Sequence, residues 1–242
     1  MTKAILVLVA TLAFVAGSYL VSFSGFAPDQ FRVPQVDPPV QPAGYAFAIW
    51  GVIFLWLIVS ALYGVLRRAR DPLWDSVRAA LIVSLGVGVS WNSVANASPV
   101  WASVLIWVML VAALLALLKA PGSDRPWLAW PLGLYAGWLT AASCVALGLL
   151  AAGYAITGAV PAALGAIVAA AALALVIIRA TANPAYALAV IWALIALIGK
   201  NLEAALPVAI VAGSAATLVA AIWGLTWRAR AQRGPSRVQE RA

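Results

Sequence analysis

Long apolar stretches alternate with short polar joints along the whole chain. The apolar stretches are each about 20 residues long, enough to cross roughly 30 Å of hydrocarbon as an α-helix. Eight are predicted, at residues 4–25, 44–66, 77–96, 99–118, 127–151, 160–179, 184–199 and 205–227. In the joint before the seventh, Asn183 and Pro184 predict a capped helix start. The pattern therefore predicts an all-α, polytopic membrane bundle of about eight helices.

Composition places these stretches in a membrane rather than in a soluble core. Of 242 residues, 65% are apolar and 9% are charged, and the mean hydropathy is +1.03. A soluble domain of this length cannot hide so much apolar surface. The chain is therefore predicted to be an integral membrane protein whose first partner is the lipid bilayer.

The positive charges are clustered, and their positions predict an orientation. Cytoplasmic loops carry an excess of Lys and Arg, so the charges test an arrangement of eight helices with the N-terminus inside. The segments then assigned to the cytoplasm hold Lys3, Arg67, Arg68, Arg70, Arg78, Lys119, Arg125, Arg179, Arg228, Arg230, Arg233, Arg237 and Arg241. Only Arg32 and Lys200 fall outside. The net charge of +8 therefore indicates topology and not a nucleic-acid partner, and both termini are predicted to be cytoplasmic.

Both ends of the chain need a separate interpretation. The start, MTKAILVLVATLAFVAG, has a basic beginning and an apolar centre like a secretion signal. Its apolar character continues through Tyr19, Leu20 and Val21, which favours a retained helix over a cleaved signal. Residues 228–242 hold five arginines and are predicted to form a disordered basic tail near anionic lipid.

Few side chains offer catalytic or metal-binding chemistry. The chain has no histidine, one cysteine and seven acidic residues, and each acidic residue is assigned to a loop or a helix end. No nitrogen or sulfur metal site, buried carboxylate pair or histidine-based triad is therefore predicted. We expect no cofactor and no catalytic residue. Proton-coupled transport usually needs an ionisable group inside the membrane, and none is placed at mid-depth.

Two residues have alternative interpretations. Cys144 is interpreted as a small packing residue, with a reactive thiol as the less favoured alternative. Lys200, in the seventh helix, could hold a retinal Schiff base, but no middle helix supplies a counter-ion carboxylate. The favoured interpretation is a lysine that reaches the membrane interface and pairs with Glu203.

Aromatic residues are the remaining candidates for specificity, because the chain has twelve tryptophans. Near predicted helix ends, where indole rings lie comfortably among lipid headgroups, are Trp74, Trp101, Trp127, Trp130, Trp223 and Trp227. A turn or more inside their helices, where each indole N–H needs a partner or faces lipid, are Trp50, Trp56, Trp91, Trp107, Trp138 and Trp192.

Three stretches together resemble the tryptophan-rich sensory protein or translocator-protein (TspO) family. They are PAGYAFAIWGVIF in the second helix, GVSWNSVAN in the third and PLGLYAGWLTAASCVA in the fifth. That family has a proline-rich first loop, a second helix that opens with Pro-x-Gly-aromatic-x-Phe, and a fifth helix with Tyr-x-x-Trp. The resemblance covers residues 1–151 as a five-helix core, and residues 152–227 would add three helices, as in a longer, divergent branch.

The resemblance implies a ligand and a site. Members of the family bind flat, apolar ligands such as porphyrins and sterols inside the five-helix bundle, beneath the first loop. For this chain it implies a receptor or carrier of a porphyrin-, sterol- or carotenoid-like molecule in the bacterial inner membrane. The residues that match the family's pocket are Tyr45, Phe47, Trp50, Trp91, Asn92, Tyr135 and Trp138. The alternatives are a small-solute transporter and a membrane enzyme that acts on a pigment or an isoprenoid.

The chain also departs from the family's pattern. It has Ala48 and Ile49 where the better-studied members carry Gly-Pro before the second-helix tryptophan. Gly88 and Ala146 occupy positions where an asparagine is usual. The two asparagine replacements remove polar side chains from the region of the implied pocket.

The residues add three local expectations. Tyr135 and Trp138, three positions apart on one helix, are predicted to line a slot for a planar ligand. Gly133, Gly137 and Ala141 form a small-residue row that favours close packing within the chain, with a homodimer face as the alternative. The proline-rich first loop, FAPDQFRVPQVDPPVQPAG, is either a semi-rigid lid over the bundle or a plain connector.

Overall fold

Eight α-helices make up most of the structure, a computed structural model that describes residues 1–232. They are α1 (Thr2–Leu20), α2 (Ile49–Leu66), α3 (Pro72–Ala97), α4 (Pro99–Lys119), α5 (Ala129–Gly153), α6 (Ala159–Thr181), α7 (Pro184–Ala204) and α8 (Leu206–Gln232). Two short 3₁₀ turns, Pro28–Gln30 and Gly44–Ala48, lie between α1 and α2. With the turn before α2 included, all eight helices are long and apolar enough to cross a membrane. The predicted fold, an integral membrane bundle of eight helices, is confirmed.

Several helix ends differ from the predicted bounds, for reasons that the local residues explain. Helix α3 begins at Pro72, before the predicted residue 77, because Asp71 caps it: the Leu73 N–H donates to Asp71 Oδ1 at 2.8 Å. Helix α7 begins at Pro184 with Asn183 as its cap, as predicted. Helix α1 ends at Leu20, so residues 21–25 belong to the first loop.

Helix α5 lies at the centre of the bundle, where it packs against α2, α4, α6 and α7. Helix α3 lies between α1 and α4, and α8 packs against α6 and α7. Most of α5 is buried on every side, which explains why its sequence shows no polar face.

Small residues allow the neighbours of α5 to approach closely. A Cβ atom built on Gly137 would lie 2.5 Å from the carbonyl oxygen of Tyr186 in α7. One built on Gly148 would lie 3.2 Å from the carbonyl oxygen of Ala162 in α6. Gly133 contacts Asn183, the cap of α7. The row of Gly133 and Gly137 therefore packs against α7 within the chain, which confirms the favoured interpretation of these two glycines.

An ion pair and an indole hydrogen bond join helix ends on the face of the bundle that carries most of the basic residues. Arg68, after α2, donates to both carboxylate oxygens of Asp124, in the joint before α5, at 2.6 and 3.1 Å. The indole N–H of Trp74 donates to the same carboxylate at 3.1 Å. Hydrogen bonds from Arg68 hold the pKa of the Asp124 carboxyl below its usual range. Trp74, predicted near a helix end at headgroup level, is buried within this polar cluster at the start of α3.

The basic end of α8 differs from the predicted tail. Helix α8 continues to Gln232, past the predicted boundary at residue 227. Within it, Arg230 donates to the carbonyl oxygens of Arg179, Ala180 and Thr181 at 2.7–3.0 Å, so it caps the end of α6. The rest of the predicted tail, residues 233–242, lies outside the described residues.

We expect Gly137→Ala to destabilise the protein, because the new methyl group meets a backbone carbonyl that cannot turn aside. Overpacking of this kind costs about 1–3 kcal/mol. Thermal unfolding in mild detergent should show a lower midpoint. The matched control is Gly165→Ala in α6, where a Cβ meets no atom within 4 Å; it should be neutral or stabilising, since Ala favours helix. Equal behaviour of the two variants would contradict the close approach of α5 to α7.

Candidate functional site: a cavity beneath the first loop

A cavity of about 640 Å³ opens inside the bundle, on the side of the first loop (residues 21–43). We refer to it as the loop-covered cavity. Its walls come from α1 to α7, and its roof comes from the loop. The aromatic residues that line it are Phe14, Tyr19, Phe23, Phe26, Phe47, Trp50, Phe54, Trp91 and Trp138.

The cavity brings together five of the seven residues predicted to bind a ligand. They are Phe47, Trp50, Trp91, Asn92 and Trp138, from three helices and the turn before α2. Tyr45 and Tyr135 do not line it.

Trp50 and Trp138 form the centre of the aromatic wall. Their ring centroids lie 6.3 Å apart with the planes nearly perpendicular, at 83°. Phe47 meets Trp138 edge-on at 5.7 Å, and Phe54 stacks on Trp50 at 5.1 Å. Such edge-on and offset pairs hold each other's orientation, so the wall is preformed.

Tyr135 supports this wall from behind. It is fully buried, and its hydroxyl lies 2.9 Å from Ser84 Oγ in α3. Its ring contacts those of Phe14 and Trp50, with centroids 6.1 and 6.4 Å apart. The slot predicted between Tyr135 and Trp138 is therefore absent from the cavity: Trp138 lines the space, whereas Tyr135 is directed toward α3.

Tyr45 lies on the outside of the turn before α2. It is 52% exposed, and its ring meets Trp192 of α7 edge-on at 5.7 Å. The indole N–H of Trp192 donates to the carbonyl oxygen of Ala46 at 2.9 Å. These contacts dock the turn onto α7, so Tyr45 positions the segment that carries Phe47 without itself reaching the cavity.

Trp91 and Asn92 line the cavity and also join neighbouring segments. The side-chain amide of Asn92 donates to the carbonyl oxygens of Ser18 and Val21 at 3.3 and 2.7 Å. The indole N–H of Trp91 donates to Ala102 in α4 at 3.0 Å. These donors are thus used to hold the end of α1 and the start of α4 against α3.

The remaining interior tryptophans differ in whether the indole N–H has a hydrogen-bond acceptor. Trp56 donates to the carbonyl oxygen of Pro126 at 2.9 Å. Trp107 has a buried indole N–H with no partner among residues 1–232. Trp50 and Trp138, which line the cavity, likewise find no acceptor in the described part of the chain.

The first loop covers the mouth of the cavity, as expected of a lid rather than of a plain connector. Phe31 is buried against Gly153 at the end of α5, and the Val33 N–H donates to the Gly153 carbonyl oxygen at 2.8 Å. Val40 is buried against Gly148. Glycine is required at these two positions of α5, because a side chain there would push the loop away.

A second set of contacts fastens the loop to α7, and we call it the α7 latch. The amide of Asn201 donates to the carbonyl oxygen of Pro39 at 3.0 Å. The ammonium group of Lys200 pairs with Asp37 at 2.5 Å. The expected pairing of Lys200 with Glu203 is therefore wrong, because the loop brings Asp37 to the helix end. The latch places the loop across a helix that the predicted five-helix core did not include.

Helices α6 and α7 also supply a wall that the sequence-based site missed. Val190, Ala193, Leu194 and Leu197 of α7 line the cavity. Their spacing of three and four residues is the signal of one helical face, but nothing in that pattern tells a cavity wall from a packed interface. The family resemblance of the three tryptophan-bearing stretches covers residues 1–151, so it indicates no residue of α6 or α7.

The two departures from the family's asparagines have different structural settings. Ala146 lines the cavity, where a longer side chain would occupy ligand space. Gly88 is packed against Phe14: a Cβ there would lie 2.8 Å from the ring. Phe14 therefore occupies the space that an asparagine at position 88 would need.

We expect Asn201→Ala to loosen the first loop, since it removes the hydrogen bond from Asn201 to Pro39. Hydrogen exchange of amides in residues 33–43 should become about three- to tenfold faster, the effect of one ordinary hydrogen bond. Asp37→Asn should have a smaller effect, because exposed ion pairs contribute little. The matched control is Glu203→Gln, which leaves the latch intact. If exchange is unchanged in Asn201→Ala, α7 does not hold the loop.

Comparison with known proteins identifies a family for the chain. The sequence model described as "TSPO-like protein" matches residues 4–225, which extends over all eight helices and beyond the 1–151 core. No curated protein and no solved structure matches the chain. The resemblance seen in the three tryptophan-bearing stretches is confirmed: the chain belongs to the TSPO-like protein family.

Proposed function

We propose that the protein is a membrane receptor or carrier that binds a hydrophobic, tetrapyrrole- or sterol-like small molecule in the loop-covered cavity. The observation that carries the proposal is the cavity itself, with its aromatic wall and its loop roof. Its volume of about 640 Å³ lies within the range of small-molecule sites, roughly 300–1,000 Å³. Membership of the TSPO-like family supports a hydrophobic ligand.

Two buried hydroxyl pairs join helices of the bundle, which supports a binding site rather than a channel. Beyond the cavity floor, the hydroxyl of Tyr135 bonds Ser84 at 2.9 Å, and the hydroxyl of Tyr186 bonds Thr140 at 2.9 Å. These buried polar pairs cross from α3 to α5 and from α5 to α7. A small-solute transporter would need both pairs to separate during each cycle.

The positions of the basic residues indicate how the protein is oriented in the membrane. The basic ends of α2, α6 and α8 lie on one face of the bundle, opposite the first loop and Lys200. We propose that this basic face is cytoplasmic, in the inner membrane of a bacterium, and that the loop faces outward. Dimerisation stays a prediction.

We expect Gly51→Phe to weaken ligand binding while the fold is kept. Gly51 lines the cavity, and a Cβ there meets no atom within 4 Å, so the ring can enter empty space. Binding of protoporphyrin IX dimethyl ester to the purified protein in phosphatidylcholine nanodiscs should be saturable for the wild type. The affinity of Gly51→Phe should fall by at least about tenfold, the effect of losing 1.4 kcal/mol or more.

The matched control is Gly86→Phe in α3, since a Cβ at Gly86 also meets no atom within 4 Å but the residue lies outside the cavity. It should bind like the wild type. If both variants bind like the wild type, the cavity is not the binding site. If the bound pigment is consumed under light and oxygen, the enzyme alternative replaces the receptor.

A further inference from the structure

We propose that the basic face holds a binding site for the headgroup of an anionic phospholipid, where the joint between α2 and α3 meets the joint between α4 and α5. The site is separate from the loop-covered cavity and does not depend on the ligand proposed there. It combines arginines without a carboxylate partner, an aromatic stack at the same level and an apolar surface beside them.

Two contacts bring the two joints together. The guanidinium group of Arg68 donates to both carboxylate oxygens of Asp124 at 2.6 and 3.1 Å. The rings of Tyr63 and Trp127 stack on each other, with centroids 4.9 Å apart and planes only 4° from parallel. The end of α2 and the segment that leads into α5 therefore form one continuous surface.

The acidic side chains of this surface are already engaged by basic ones. The pairs are Asp71 and Asp124 with Arg68, and Asp75 with Lys3 and Arg78. Arg78 is buried and also donates to the carbonyl oxygen of Arg68 at 2.7 Å, so it caps the end of α2. These basic residues thus have a structural role, and the carboxylates are not free to neutralise further charges.

Four other basic residues of the two joints and of the adjoining end of α4 have no carboxylate partner among residues 1–232. They are Arg67, Arg70, Lys119 and Arg125, and all four are exposed. Arg67 adjoins Arg68 and Arg125 adjoins Asp124, so the two arginines flank one ion pair. Guanidinium groups bind phosphate oxygens through paired N–H donors. The surface is therefore suited to a phosphate group.

Apolar residues beside the arginines favour a phospholipid over a soluble phosphate. Leu66, next to Arg67, is 77% exposed, and Leu62, one turn earlier, is also exposed. Trp127 is exposed as well, with its ring against Tyr63. Exposed leucines of a membrane helix face acyl chains, whereas indole rings lie at the level of the headgroups. The acyl chains and the phosphate of one lipid can therefore contact this surface together.

The charge of the surface favours an anionic headgroup over a zwitterionic one. Basic side chains near the membrane surface each add to the attraction of anionic lipids. Phosphatidylcholine would bring a second cation among the arginines, and like charges repel each other. Phosphatidylglycerol brings only the phosphate charge and a neutral polar group.

Native mass spectrometry of the full-length protein in mild detergent tests the site, by titration with dioleoylphosphatidylglycerol or dioleoylphosphatidylcholine. We expect the wild type to bind the first phosphatidylglycerol at least about fivefold more tightly than phosphatidylcholine, the effect of one basic side chain near the surface. Arg67→Gln combined with Arg125→Gln should weaken phosphatidylglycerol binding on the order of tenfold, because two of these charges are lost. Unfolding midpoints identify any variant that fails to fold.

Two controls keep the rest of the molecule constant. Arg179→Gln combined with Arg228→Gln removes two exposed arginines from the same face, at the end of α6 and in the last turns of α8. Gly51→Phe fills the loop-covered cavity, which could itself admit an acyl chain. Both controls should bind phosphatidylglycerol like the wild type.

Four outcomes would overturn the proposal. If the control pair weakens binding as much as Arg67→Gln with Arg125→Gln, lipid responds to the total charge of the face, and the assigned site is wrong. Equal binding of the two lipids to the wild type excludes selection for anionic headgroups. Displacement of phosphatidylglycerol by excess inorganic phosphate assigns the site to a soluble anion. Loss of binding in Gly51→Phe places the lipid in the cavity instead.

Discussion

The close approach of α5 to α7 is the contact on which the rest of the site depends. In a bilayer, apolar helices gain little from leaving lipid, so association relies on tight packing and on hydrogen bonds between helices. Gly133 and Gly137 permit that packing, and Asn183 adds a hydrogen bond of 2.6 Å to the Ala129 carbonyl oxygen. With α7 held there, its apolar face completes the cavity beside Trp138. Its far end meets the first loop through the α7 latch.

Polar contacts and aromatic contacts have different roles in this arrangement. Side-chain amides hold the roof: Asn92 binds the end of α1, and Asn201 binds the loop. Three of the six interior tryptophans, Trp56, Trp91 and Trp192, likewise donate to backbone carbonyls and join separate segments. Trp50 and Trp138 differ, since their rings form part of the cavity wall. The same residue type therefore serves both to join segments and to form the wall of the cavity.

Much of the fold could be predicted from the sequence, because membrane helices need long apolar runs bounded by polar joints. All eight helices follow from that requirement, and Asn183 shows that even a cap can be read locally. Contacts across the bundle could not be predicted. Nothing near Lys200 indicates that its partner is Asp37, which lies far away in the chain. Likewise, whether Tyr135 faces the cavity or α3 depends on where Ser84 lies, which helical periodicity does not reveal.

The central claim is that the loop-covered cavity holds a hydrophobic molecule in the membrane where the protein is made. The most direct test is mass spectrometry of small molecules released from protein purified in mild detergent, with Gly51→Phe purified in parallel. The account predicts a hydrophobic small molecule that accompanies the wild type in near-stoichiometric amount and is lost from the variant. Release of the same phospholipids and nothing else from both proteins would contradict it.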